Sequence, residues 1–243
     1  MLAFGAADLH GKTDMSRRLP SLAIALLLVS PMSACGGGGG GGDDAGAATG
    51  GGNTGGDGTG VTPGMQIPTA QLPPGPAPGG SDPYVCRNVQ VGAVMLDNVF
   101  VPEGATCAML GSQADGTIEI ARGGFLDAID VRVDGNIQAE GAGHVSVTRQ
   151  SFVGGSIQLE QGQSAFLQDV RVTGDIQLFS NAGALRAERN VVGGNIQVNQ
   201  NTRGVTLVAN SATNGNLQCQ ANRPAPTGSG NVAAQKEDQC RTL

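Results

Sequence analysis

In the second half of the chain, apolar and polar residues alternate around a motif that recurs about every twenty positions. The motif reads GNIQ, GSIQ, GDIQ, GNIQ and GNLQ, and its glutamines are Gln138, Gln158, Gln177, Gln197 and Gln218. Successive glutamines are 20, 19, 20 and 21 residues apart. A repeat of this length with small drifts is typical of a solenoid in which each repeat forms one rung. Glu119, in GTIEI, occupies the glutamine position of a preceding rung.

Alternation within each repeat identifies the strand that follows the glycine. The aliphatic residue of the motif and the residue two places later point to one side, and the glutamine points to the other. A second apolar row precedes the glycine, at Val133, Val153, Val172, Val192 and Thr213. Two or three short strands per repeat, without a helix-length pattern, predict an all-β fold. We expect a single-stranded, right-handed parallel β-helix over residues 83–243, with about 20 residues per rung.

Glycine and asparagine recur at positions that we interpret as corners of the rungs. The motif glycines are expected to adopt a positive φ, which only glycine does without steric cost. They are Gly135, Gly155, Gly174, Gly194 and Gly215. Four residues after each of the last three glutamines stand Asn181, Asn201 and Asn222. Asparagine tolerates the left-handed conformation and can bond to its equivalent in the next rung, so this spacing predicts an asparagine ladder.

The first third of the chain has a composition unlike that of the repeats. Of 243 residues, 41 are glycine and 12 are proline, with one tyrosine and no tryptophan. Residues 36–81 are mainly Gly, Ala, Thr, Asp and Pro, which cannot bury enough apolar surface to offset chain entropy. We predict a disordered Gly/Pro-rich tether over residues 35–82. The formal net charge of −6 gives no basic footprint, so nucleic acid is not an expected partner.

The segment MSRRLPSLAIALLLVSPMSAC has the layout of a bacterial export signal. Its apolar run is too short to cross a bilayer as a permanent helix. The ending MSAC resembles the lipobox of bacterial lipoproteins, with Met32 where leucine is usual, and this resemblance implies cleavage before Cys35 and lipidation of that residue. We interpret residues 1–34 as a signal peptide whose true start is Met15, and we predict an outer-membrane lipoprotein facing the periplasm or the cell surface. Ordinary secretory cleavage that leaves Cys35 unmodified is the alternative.

The four remaining cysteines form two pairs, each separated by 21 residues, or about one rung. Stacked strands lie about 4.8 Å apart, so both pairs can reach disulfide distance. We predict disulfides between Cys86 and Cys107 and between Cys219 and Cys240, which would cap the two ends of the stack in an exported protein. The predicted domain has no CxxC spacing and a single histidine, His144, so we expect no metal site and no cofactor.

Three segments together resemble a known group of proteins: DNVFVPEGATCAMLGS, the GNIQ repeats, and NGNLQCQANRPAPTGSGNVAAQKEDQC. They are similar to a family of exported bacterial proteins of uncharacterised function, with a glycine-rich solenoid and a cysteine-containing C-terminal signature. The resemblance covers roughly residues 85–241 and implies a fold and an exported location, without catalytic residues. The rungs also faintly resemble bactofilins, which are cytoskeletal β-helices that polymerise end to end. The export signal and the capping cysteines disagree with a cytoplasmic polymer.

Parallel β-helices include polysaccharide lyases and hydrolases, so paired carboxylates are of interest. Aligning IDVRVDG with QDVRVTG matches Asp130 with Asp169 and Arg132 with Arg171, two rungs apart or about 9–10 Å. Carboxylates at that distance can flank a water molecule in an inverting hydrolase. We favour the alternative that these charges form solvated surface ion pairs, and we therefore assign no catalytic residue.

The outward row of five glutamines is the second candidate surface. Stacked amides can bond to one another along the axis, which is the structural interpretation that we favour. The functional alternative is a flat array of donors and acceptors that binds an extended glycan, a peptide or another envelope component. We expect a monomeric, non-enzymatic binding or structural module that meets the membrane through its N-terminal lipid. A carbohydrate-active enzyme and a self-assembling solenoid are the alternatives.

Overall fold

The computed structural model describes residues 72–75 and 82–243. Within these ranges the chain forms 24 strands and no helix. The strands pair in parallel and stack into a β-solenoid of about eight turns with roughly 19 residues per turn, which confirms the predicted fold class. The predicted signal peptide, Cys35 and most of the predicted tether lie outside the described residues.

Each of the first seven turns contributes one strand to each of three parallel sheets, which contain nine, eight and seven strands. Sheet 1 contains the GNIQ strands and stacks in the order β1 (Tyr84–Val85), β4 (Val99–Val101), β7 (Ile118–Ile120), β10 (Ile137–Glu140), β13 (Ile157–Glu160), β16 (Ile176–Phe179), β19 (Ile196–Asn199), β22 (Leu217–Gln220) and β24 (Lys236–Asp238). The motif glutamines pair directly with one another, and Glu119 pairs with Gln138. The predicted register is therefore confirmed.

Sheets 2 and 3 complete the cross-section of the solenoid. Sheet 2 contains β2 (Val89–Gly92), β5 (Thr106–Leu110), β8 (Phe125–Ile129), β11 (His144–Thr148), β14 (Ser164–Gln168), β17 (Leu185–Glu188), β20 (Val205–Val208) and β23 (Thr227–Ser229). Sheet 3 contains the two-residue strands β3 (Met95–Leu96), β6 (Gln113–Ala114), β9 (Arg132–Val133), β12 (Phe152–Val153), β15 (Arg171–Val172), β18 (Val191–Val192) and β21 (Ser211–Ala212).

Aliphatic side chains from all three sheets fill the interior. The five aliphatic residues of the motif are at most 1% exposed, as the alternation predicts. One assignment in the second apolar row was wrong, because Ala212 and not Thr213 pairs with Val192 and points inward. Two residues lie between Ala212 and its motif glycine, whereas one lies between Val192 and Gly194. The inserted residue displaces Thr213 to the surface.

The motif glycines are required for close packing between turns, not for a left-handed backbone. None of the five has a positive φ, so the predicted reason for glycine was wrong. A Cβ atom at Gly135 would lie 2.6 Å from the carbonyl oxygen of Gly116 in the preceding turn. A Cβ atom at Gly215 would overlap the carbonyl group of Gly194 and lie 2.7 Å from the nitrogen of Asn195. Successive turns approach so closely at this corner that a β-carbon has no room.

The left-handed residues include a regular row in the links that join sheet 2 to sheet 3. Six of the seven links between successive strands of these sheets contain two residues, and the first residue of each has a φ between 48° and 59°. The link between β11 and β12 contains three residues. Its first two, Arg149 and Gln150, have φ values of 58° and 62°. This turn therefore carries one inserted residue at a corner that is otherwise constant.

Buried asparagine ladders fix two corners of the solenoid. In the predicted ladder, Nδ2 of Asn181 donates to Oδ1 of Asn201 (3.1 Å), and Nδ2 of Asn201 donates to Oδ1 of Asn222 (2.9 Å). This prediction is confirmed. A second ladder, which the sequence analysis missed, joins Asn190, Asn210 and Asn231 through contacts of 2.9 Å. Their spacing of 20 and 21 residues was visible in the sequence.

The polar residue after each motif glycine forms a further ladder. The backbone N–H of Ser156 donates to Oδ1 of Asn136 (2.8 Å), and that of Asp175 donates to Oγ of Ser156 (3.0 Å). The N–H of Asn195 donates to Oδ1 of Asp175 (2.6 Å). Asn, Ser and Asp share a short side-chain oxygen that can accept this bond. This shared property explains why the motif varies among GNIQ, GSIQ and GDIQ.

Chain segments outside the repeat contact part of each end of the stack. At the start, residues 73–75 lie beside β2, where the N–H of Gly75 donates to the carbonyl oxygen of Gln90 (2.7 Å). At the other end, the chain folds back after β24 and buries Leu243. The predicted cysteine pairs reach disulfide distance, with Cα separations of 5.4 Å for Cys86–Cys107 and 5.3 Å for Cys219–Cys240. Such bridges are typical of proteins in an oxidising environment outside the cytoplasm.

Candidate functional site

The motif glutamines form a continuous hydrogen-bonded row on the outer face of sheet 1. Nε2 of Gln138 donates to Oε1 of Gln158 at 2.8 Å. The same contact, at 2.9–3.0 Å, joins each later glutamine to its successor as far as Gln218. Nε2 of Gln218 then donates to Oε2 of Glu237 at 3.1 Å. Every amide therefore points its N–H groups toward the C-terminal end, and the row ends on a carboxylate.

Mutual pairing leaves part of each glutamine amide unused. An amide has two N–H donors and two acceptor lone pairs. Each inner glutamine of the row uses one N–H and one lone pair in the bonds to its neighbours. These contacts fit the structural role favoured from the sequence. The remaining donors and acceptors could meet a ligand, so the ligand-face hypothesis stays a prediction.

The two candidate aspartates occupy the same left-handed position in links two turns apart. Asp130 follows β8 and Asp169 follows β14, and Arg149 occupies the intervening link. Nε and Nη2 of Arg189 donate to the two carboxylate oxygens of Asp169 at 2.8 and 2.9 Å. These hydrogen bonds lower the pKa of Asp169. One of the two candidate carboxylates is therefore engaged in an exposed ion pair.

The two candidate arginines lie on the outer face of sheet 3. Arg132 forms an ion pair with Asp134 at 2.7 Å, and its guanidinium group lies 4.6 Å from the ring centroid of Phe152. Arg171 pairs in register with Phe152 from the other side and is exposed. The structure thus places Arg132 over the ring of Phe152 and Arg171 on the adjacent strand in register with it, an arrangement that the aligned motifs did not predict.

A surface depression of about 670 Å³ lies beside the link that carries the inserted residue. Three arginines line it together with Asp169: Arg149, Arg171 and Arg189. Gln150, Val170 and Val191 complete the lining. Asp169, Val170 and Arg171 lie within the aligned motif QDVRVTG. The other lining residues could not be predicted from it, because they belong to the neighbouring turns. The depression is open to solvent and predominantly basic.

The outer face of sheet 2 carries a further polar cluster that the sequence analysis missed. Nδ1 of His144 and Oγ of Ser164, on adjacent strands, lie 2.6 Å apart. Asp127 lies on the preceding strand, in register with Ser146. Burial raises the pKa of Asp127 and lowers that of His144. Pairing across one turn, at a separation of 20 residues, was the sequence signal for the His144–Ser164 contact.

This cluster fits a structural role better than a nucleophilic site. A catalytic serine needs a base that can exchange protons with substrate. His144 is only 8% exposed, and Ser146 is equally buried. The His144–Ser164 contact instead satisfies a buried ring nitrogen.

We expect His144→Gln to reduce the pH dependence of stability below neutral pH. The folded-state pKa of His144 lies below its ordinary value of 6.5, so below that pH the unfolded chain binds the proton more readily. The stability contributed by the neutral ring is thus present above pH 6.5 and is lost as the pH falls below it. Urea denaturation of the wild type and the variant, at intervals from about pH 7.5 to pH 5.5, measures the difference.

Asp127 and Arg149 are the charged groups coupled to this histidine cluster, and both are unchanged in the variant. The raised pKa of Asp127 has the opposite effect on stability. The folded protein binds the Asp127 proton more readily than the unfolded chain, so this contribution to stability grows as the pH falls. Equal pH slopes for the wild type and His144→Gln would contradict the assignment.

Among residues 72–75 and 82–243, no three His, Cys, Asp or Glu side chains gather as a metal site. The same residues contain no long apolar helix of the kind that spans a bilayer. No protein-family model, curated protein or solved structure matches the sequence. The resemblances to the lipobox and to exported solenoid proteins therefore stay predictions.

Proposed function

We propose that the chain is a lipid-anchored protein of the bacterial cell envelope, attached through Cys35, whose solenoid is a non-enzymatic binding or structural module. The export signal before Cys35 and the Gly/Pro-rich segment after it support an anchored domain on a tether. The two disulfide pairs support an oxidising location.

The observation that carries this proposal is the pairing of outward polar groups from turn to turn. The glutamine row and the Asp169–Arg189 pair hold their side chains in fixed, regularly spaced positions. Groups that are already ordered lose little freedom when a partner binds, which suits a binding or scaffolding surface. A hydrolase requires carboxylates that exchange protons or attack substrate. The ion pair at Asp169 disfavours that role.

Contacts at part of each end of the stack support a module that acts as a monomer. Exposed strand edges invite pairing with another chain. Here residues 73–75 bond along β2, and the C-terminal segment folds back and bonds to β22 at the opposite end. These contacts disfavour end-to-end assembly of solenoids.

Replacement of the anchoring cysteine tests the location directly. When the full-length protein is expressed in a Gram-negative host supplied with an alkyne fatty acid, we expect the wild type to incorporate the label and to sediment with outer membranes. Cys35→Ala should lose the label completely, because the thiol is the acceptor atom. In-gel fluorescence after coupling to an azide dye, together with membrane fractionation, measures both effects.

Cys86→Ala/Cys107→Ala is the matched control, because it removes two cysteines of the solenoid and keeps Cys35. It should retain the label. Recovery of an unlabelled wild-type protein in the soluble periplasm would contradict the lipid anchor, and recovery in the cytoplasm would contradict the envelope location as well.

A further inference from the structure

The three-residue link between β11 and β12 differs from the other links in its backbone conformation. Two consecutive non-glycine residues, Arg149 and Gln150, adopt the left-handed conformation there. A side chain in this conformation costs about 1–2 kcal/mol relative to the right-handed form. The six other links avoid the second such residue. The side chains of Arg149 and Gln150 line the neighbouring depression, which we call the arginine depression.

The arginine depression is a local reversal of charge. The chain has a net charge of −6, yet the lining of the depression contains three guanidinium groups and a single carboxylate. Asp169 is engaged by Arg189. Among the described residues, neither Arg149 nor Arg171 forms an ion pair within 4.0 Å of a carboxylate. Two guanidinium groups therefore remain to attract an anion.

The arrangement of these groups favours an extended anion over a single ion. Arg149, Arg171 and Arg189 come from three successive turns, and Arg171 lies in register with Phe152 and Val191, two positions beyond the link position of the other two arginines. The three charges are therefore staggered along the solenoid axis, with turns about 4.8 Å apart. The depression is open to solvent, which allows a polymer to pass through it. Val191, which is 38% exposed and lines the depression, offers an apolar contact for a sugar ring. A guanidinium fork matches the geometry of a carboxylate.

We propose that the arginine depression binds an acidic polysaccharide, a sugar chain bearing carboxylate groups, with Arg149 and Arg171 as the contacting cations. The Arg189–Asp169 pair holds the floor of the site, and the Asp169 carboxylate accepts hydrogen bonds from sugar hydroxyl groups. The inference deepens the proposed function, because it names the ligand class of the envelope module.

Binding to polygalacturonate tests this site. The full-length protein, purified in detergent, is titrated with polygalacturonate of defined length and with neutral dextran in a calorimeter. We expect saturable binding to polygalacturonate alone, weakened by added sodium chloride. Arg149→Gln/Arg171→Gln should weaken the affinity by about tenfold or more, because two charge-assisted contacts are lost. Arg171→Gln alone, at an exposed position on β15, should give a smaller loss in the same direction.

Arg122→Gln/Arg203→Gln is the matched control, since it removes the same charge from exposed positions outside the depression. It should change the affinity less than about twofold. Equal weakening by both double variants, or no binding by the wild type, would overturn the site. Urea denaturation of all variants shows whether they fold, and Arg171→Gln keeps the proposal testable if the double variant does not.

Two further measurements separate this inference from the proposed function. Vesicles of phosphatidylglycerol replace the polymer in a parallel titration, and tighter binding to them through the same arginines would overturn the polysaccharide in favour of a lipid headgroup. Shortening of the polymer during incubation would support the site but overturn the non-enzymatic function. Fatty-acid labelling of Cys35 without polymer binding would leave the anchored module intact and overturn only the ligand class.

Discussion

Asn201→Ala is expected to lower the free energy of unfolding by about 3–5 kcal/mol. Asn201 is fully buried, and its Oδ1 accepts the backbone N–H of Asn181 at 2.9 Å. Its Nδ2 donates to the carbonyl oxygen of Leu178 at 2.9 Å. Alanine would leave both backbone groups buried without a partner, at a cost of about 1–3 kcal/mol each. Urea denaturation with the disulfides intact, followed by circular dichroism, measures the change.

The matched control is Gln197→Ala in the same turn. Gln197 is also a ladder member, but its partners are the side-chain amides of Gln177 and Gln218 on the surface of sheet 1. Water can replace these contacts, so we expect a loss below about 1 kcal/mol. Similar losses for the two variants would show that burial is not what makes the asparagine ladder stabilising.

Gly215→Ala is expected to destabilise the last turns by about 3 kcal/mol or more. The new Cβ atom would overlap the carbonyl group of Gly194, which belongs to the backbone of the preceding turn. That backbone is held by hydrogen bonds on both sides, including the 2.9 Å bond from the N–H of Gly194 to the carbonyl oxygen of Gly174. The turn has to separate from its neighbour to admit the methyl group. Denaturation midpoints and amide hydrogen exchange in β19 and β22 measure the loss.

Gly92→Ala provides the comparison for this substitution. Gly92 lies at the exposed end of β2, and the nearest atom to a new Cβ would be the carbonyl oxygen of Leu110 at 3.9 Å. We expect a change within about 0.5 kcal/mol. A comparable loss at both positions would mean that glycine is needed for its flexibility and not for the space that it leaves.

The turn-to-turn register could be read from the sequence, because a solenoid repeats the same environment at each turn. Spacing alone therefore aligned the glutamines, the first asparagine ladder and both cysteine pairs. The reason for the motif glycines could not be read in the same way. Glycine permits both a positive φ and a close approach, and only the backbone path shows that the second requirement applies at Gly215.

The candidate sites were harder to predict, since they depend on links between strands. Arg189 follows Asp169 by 20 residues, so their ion pair was accessible to the spacing argument. The inserted Gln150 was not, because strand boundaries are needed to recognise a link of three residues among links of two. Thr213 was misplaced by an insertion of the same kind. Single-residue insertions shift which side chain faces the interior, and a pattern of alternation does not contain them.

The one-way orientation of the glutamine row gives the solenoid a chemical direction. Each side-chain dipole adds head to tail to the next, with its positive end toward the C-terminus. If the last glutamine had no acceptor for its side-chain N–H groups, these groups would be available to bond to a further turn. Glu237 offers oxygen acceptors where a further glutamine would stand, and it binds both Gln218 and Asn216. The carboxylate of Glu237 therefore ends the hydrogen-bonded row, and its negative charge lies at the positive end of the row of amide dipoles.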